Sequence, residues 1–188
     1  MTDAITDDVS AYYASEKETA LNCVAIGALS SVAGVVLVTR SNDFSRGFGW
    51  SVLSIGAFEA VGAAFYVFQV DSHRDRYSAT LARDPAAFKH DEGAHIHGTT
   101  SRFVAYRFGE LSLAVAGAAV ATYGVLSGRA VWQGTGLGIA AEALTFYTLD
   151  SFGESRALEY EDRVRHFQPT VGVGGGERPW TIGIRGDL

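Results

Sequence analysis

Three glutamates stand inside otherwise uncharged apolar stretches of the chain: Glu59, Glu110 and Glu142. Glu59 comes nine residues after Trp50, about 14 Å along a helix of 1.5 Å rise. In a membrane-spanning helix that position is near the bilayer midplane, where an acid costs about 2.5 to 3.5 kcal/mol. Such a carboxyl must face neighbouring helices and either keep its proton or find a donor. The stretches themselves offer Tyr66, Ser112, Thr122, Tyr123, Gln133, Thr135 and Thr145. Glu59 close to Glu142 would titrate as a unit that retains one proton, suited to binding a proton or a cation. The plainer reading is a hydrogen-bonded glutamate that joins helices in lipid. Glu110 has Arg107 three residues before it and is open to neutralisation by that cation.

Other constellations are weaker. His90, His95 and His97 lie in HDEGAHIH, whose residue types suit zinc or nickel, but the spacing matches no established ligand pattern and no cysteine joins it. A solvated loop is the expectation there. A carboxylate-bridged di-metal centre needs Glu-x-x-His pairs on facing helices, and no apolar block holds a histidine. The run from Gly134 to Gly138 has dinucleotide-fingerprint glycines but no strand before it, so it reads as helix packing. No nucleophile or phosphate-binding loop stands out, so neither an enzyme nor a cofactor is expected.

These residues sit in four apolar blocks, Thr19 to Thr39, Trp50 to Val70, Phe108 to Ser127 and Ala130 to Leu149. Each is about 20 residues long, enough for the roughly 30 Å hydrocarbon core. In a chain of 188 residues that is 47% hydrophobic and 19% charged, nearly all charge falls between the blocks. Helices of a soluble bundle would each carry a polar face instead. The expected fold is an all-α membrane protein with four transmembrane helices arranged as two tandem hairpins. The single Cys23 excludes an intrachain disulfide, and the acidic N-terminus argues against a cleaved signal. A net charge of −6 suggests no nucleic-acid partner.

Lys and Arg set the orientation. The segment between the second and third blocks carries Arg74, Arg76, Arg83, Lys89 and Arg102, and the C-terminal segment is similarly rich, whereas the other side has Arg40, Arg46 and Arg129. Both termini are therefore expected in the cytoplasm, with the protein in the plasma (inner) membrane. Trp50, Tyr123 and Trp132 then belong to the outer interface, and Phe68, Tyr106 and Tyr147 to the inner one.

At an offset of 83, Ala57, Glu59, Ala60 and Tyr77 fall on Ala140, Glu142, Ala143 and Tyr160; at 90, Gly27 and Gly34 fall on Gly117 and Gly124. This suggests repeats over 12–84 and 102–166, within a transmembrane domain spanning 1–166. Residues 71–83 and 151–166 mix charges of both signs and read as helices running on into the cytoplasm. Small residues such as Gly34 and Gly138 permit close helix approach, within one chain or between copies. The Gly-rich tail, 167–188, alternates Val171 with Val173 and Trp180 with Ile182 and Ile184, the pattern of a β-hairpin. Such a hairpin is marginal alone. It points to a homo-oligomer or a protein partner, so a structural or accessory membrane subunit is the first functional expectation. The alternative is a small proton-coupled or cation-conducting transporter or channel centred on Glu59 and Glu142.

Overall fold

The computed structural model describes residues 2–169. The fold is all-helical: α1 Thr2–Val38, α2 Asp43–Arg83, α3 Pro85–Leu126 and α4 Ala130–His166. At 37 to 42 residues, each helix runs about 55 to 63 Å, twice the depth of a hydrocarbon core. Asn42 caps α2, its Oδ1 accepting from the Phe44 and Ser45 amides at 2.8 and 3.4 Å. Asp84 ends α2 and caps α3, accepting from the amides of Ala86 and Ala87, with Pro85 in the first turn where its missing N–H costs nothing. Gly128, at φ +65°, turns α3 into α4.

Two halves of these helices pack by opposite rules. In the half holding the 39–42 and 127–129 turns, the interior is mostly glycine, alanine and serine, with Val52 and Glu142 among them, while Leu29, Val32, Val61, Phe65, Val115 and Leu126 point outward. Glycines let the backbones touch. Gly27 of α1 lies against Gly56 and Ala60 of α2, and Gly117 of α3 lies likewise against Gly136 and Ala140 of α4. Gly134 and Gly138 of α4 meet Phe44, Phe48 and Ser51 of α2, so α4 sits between α2 and α3. An outward apolar surface around a small-residue interior is compatible with lipid as its solvent.

The other half is a water-type bundle. Ile5, Val9 and Tyr13 of α1, Val70, Tyr77 and Leu81 of α2, Phe88 and Ile96 of α3, and Ala157, Tyr160 and Val164 of α4 form one buried core. Polar ties surround it: Lys17 to Asp71 at 2.6 Å, Arg107 to Glu154 at 2.8 Å, and Arg156 to Ser15 and Thr19.

One expectation needs correction. HDEGAHIH is not a loop but part of α3, which starts at Pro85; Phe88, Glu92, Ile96 and Thr100 recur every fourth residue and form its buried face. Among the described residues three helices, α1 to α3, are long and apolar enough to cross a membrane. The α4 stretch is diluted by Gln133, Thr135, Glu142, Thr145 and Thr148; Glu142 is buried, and the exposed Thr145 and Thr148 hydroxyls donate to the Ala141 and Leu144 carbonyls of their own helix. No strand occurs among the described residues, and the tail hairpin with Trp180, Ile182 and Ile184 lies outside them.

Candidate functional site

α2 and α3 are joined by Asp84 alone, yet they touch little and diverge toward the apolar half. Between them lies a cavity of about 640 Å³. Its α2 wall carries Phe58, Glu59, Gly62, Tyr66 and His73; its α3 wall carries His95, Arg102, Phe103, Tyr106, Gly109 and Glu110. α1 adds Glu16 and Cys23, and α4 adds Phe146 and Asp150. The space exists because Gly62 and Gly109 are bare: a Cβ added at either would meet nothing within 4 Å.

Four carboxyl groups reach this cavity from four helices. Tyr66 Oη donates to Glu16 Oε2 at 2.8 Å. Glu110 of α3 and Asp150 of α4 are close neighbours at the cavity, and Glu110 Oε2 has no hydrogen-bond partner. Glu59 stands within electrostatic range of Asp150 and of Glu142. Two of the three glutamates named from sequence, Glu59 and Glu110, thus share the cavity. Glu142 does not line it. It is buried beside Ser30 of α1, with its Oε2 lacking a hydrogen-bond partner. The glycine contacts relate α2 to α4 at an offset of 80 (56 to 136, 60 to 140), three residues from the offset that pairs Glu59 with Glu142. That difference is about 4.5 Å along a helix.

The three histidines separate. His90 is exposed and bonded to Asp91, and His97 Nδ1 is 3.0 Å from Glu161 Oε1 across the α3–α4 interface. His95 turns inward, edge-on to His73 with ring centroids 5.0 Å apart and 5.3 Å from Tyr77. Burial, aided by His73 and by Arg102 and Arg76, pushes His95 down to about 4, so it is neutral near pH 7. Among the described residues no group of three or more metal-ligating side chains comes together. Gly34 and Gly138 are taken up by contacts inside the chain, with Leu53 and Gly49 and with Phe48 and Ser51.

A second polar cluster lies in the core of the water-type half. Glu92 is fully buried; Tyr13 Oη donates to its Oε1 at 2.9 Å, while its Oε2 and the Tyr160 hydroxyl lack partners. Tyr160 stacks on Tyr12 at 4.1 Å. Burial raises the Glu92 carboxyl to about 7, against the pull of Tyr160, Tyr13 and Arg76. A proton between Oε2 and Tyr160 would satisfy both orphaned atoms.

Sequence reasoning missed Glu16, His73, Glu92, Arg102 and Asp150. Asp150 directly follows the fourth apolar block and Glu16 precedes the first by three residues, so their position at the block ends was a usable signal. Glu92 gave none, because a charged residue breaks the apolar stripe it occupies.

No family model matches this chain, and no curated protein or solved structure is found to be similar to it.

Proposed function

We propose that the chain is a four-span integral membrane protein that moves protons or cations through the cavity between α2 and α3. The convergence of Glu59, Glu110 and Asp150 on one space large enough for a ligand carries this reading. Neighbouring carboxyl groups in an apolar cavity titrate as a unit, so such a pair can release a proton when a cation arrives and recover it afterwards. The groups facing that pair are Glu59 of α2, Arg107 of α3 and the histidines His73 and His95 at the polar end.

Four spans are supported by pairing: α4 lies along α3 from Gly117 against Ala140 to Gly124 against Gln133, so it shares the depth of a helix apolar enough to span. The Lys and Arg distribution favours both termini and the water-type bundle in the cytoplasm of a plasma-membrane protein. The matching glycine contacts of α1 on α2 and of α3 on α4 favour a duplicated hairpin.

The test is flux in liposomes. An imposed pH gradient should drive proton-linked cation movement with the native protein, and Glu110→Gln and Glu59→Gln should each abolish it while the particle mass stays constant. Retained flux in both variants would remove the carboxyl role. The other reading, an oligomeric structural subunit, rests on the tail with Trp180, Ile182 and Ile184. It requires that deleting 170–188 reduce the particle mass, which the transport reading does not.

A further inference from the structure

The cavity combines features that narrow its ligand. Its lining is mainly apolar and aromatic, with Phe58, Phe103, Tyr106 and Phe146 around the carboxyl end. Its volume falls in the range of about 300 to 1,000 Å³ typical of small-molecule sites. Its titratable groups are mainly acids, Glu16, Glu59, Glu110 and Asp150 beside Arg102, whose ionised forms an arriving cation would favour, while His73 and His95 are held toward their neutral forms by burial. Phe58, one of its lining residues, is 77% exposed, so the cavity reaches the outer apolar surface of the bundle.

We propose that the cavity is a binding site for a lipophilic organic monocation that enters sideways from the inner leaflet, its charge set against Glu59, Glu110 and Asp150 and its apolar body against the aromatic walls. The inference rests on the site described above and names the class of its ligand. A lipid tail is a poorer occupant, because it would leave carboxyl groups against hydrocarbon with no compensation. A bare metal ion is poorer still, since the carboxyls are too dispersed to form a ligand set among the described residues. An organic cation meets both requirements at once: aromatic faces attract cations, and desolvation strengthens that attraction. Gly62 and Gly109 provide the room, being the two positions where the facing walls carry no side chain.

The experiment is equilibrium binding of tetraphenylphosphonium to the full-length protein in phosphatidylcholine nanodiscs, with empty nanodiscs subtracted. Saturable one-to-one binding is expected, weakened at least tenfold by Glu110→Gln and by Glu59→Gln. Gly109→Leu, whose Cβ would meet nothing within 4 Å and whose longer side chain would take up cavity space, should weaken it at least as much. Triphenylphosphine oxide, a neutral probe of related shape, should bind at least tenfold more weakly than the cation, a comparison that needs no variant. Equal binding of the neutral probe, or unchanged cation affinity in both carboxyl variants, would overturn the proposal in favour of a lipid-filled groove. Binding without pH-driven flux would uphold the site and remove the transport reading; flux without binding would remove the cation class and leave transport standing.

Discussion

Replacing Glu92 with glutamine isolates the energetic effect of one buried carboxyl in the water-type bundle. The folded protein holds the Glu92 proton up to about pH 7, while the unfolded chain releases it near 4.5. Below pH 4.5 both states are protonated and the group is neutral in its effect. As the pH rises toward 7 only the unfolded state has lost the proton, so stability falls by about 1.4 kcal/mol per unit and levels off above the folded value. The full loss is about 3 kcal/mol, of which roughly 1 kcal/mol falls between pH 6.5 and 8. That window is chosen because His95, pushed down to about 4, binds fewer protons when folded and adds stability as the pH rises toward 6.5, masking Glu92 below it. Thermal unfolding in mild detergent, followed by loss of near-ultraviolet dichroism, should show the native protein melting about 2 to 4 °C lower at pH 8 than at pH 6.5. Glu92→Gln should make that slope shallower than the native one and melt higher than the native protein at pH 8. A native protein with no slope, together with a variant less stable at every pH, would show that Glu92 is held as an anion and would refute the reasoning.

Three further outcomes follow from the same geometry. Tyr13→Phe removes the donor to Glu92 Oε1, so it should cost about 1 to 2 kcal/mol and move the midpoint of the pH dependence above 7; a downward shift in the same melting series would contradict the assigned hydrogen bond. Gly134→Ala would drive a Cβ into the Phe44 carbonyl, so size-exclusion chromatography should show loss of the native particle, whereas Gly62→Ala, facing open space, should leave it intact. Cys23 lines the cavity, so a small membrane-permeable maleimide should label it, and saturating tetraphenylphosphonium should slow labelling severalfold; an unchanged rate would separate the thiol from the ligand space.

The apolar blocks were legible because spanning a bilayer demands length and composition, both of which are local properties of the chain. So were the Asp84-Pro85 break and the helical continuation of 71–83 and 151–166, which depend on neighbouring residues. The burial of Ile5, Val9 and Tyr13, and the helix through HDEGAHIH, were missed for a common reason. In that half the inward stripe includes Glu16, Glu92 and Thr100, polar residues whose partners, Tyr66, Tyr13 and Glu161, come from other helices, so along one helix they read as interruptions.

By itself the sequence determined that the chain carries stretches long and apolar enough to cross a bilayer, where along the chain charge is tolerated, and that Glu59 and Glu110 would be costly inside a bilayer, because these follow from length and from transfer free energies of single residues. The tertiary structure decided which carboxyls share a space. Glycine contacts set the α2–α4 register, separating Glu142 from the cavity, and the divergence of α2 from α3 brings Asp150 and Glu16 to it. Such groupings depend on interhelical distance and register, quantities that no one helix encodes and that only the packing of all four can set.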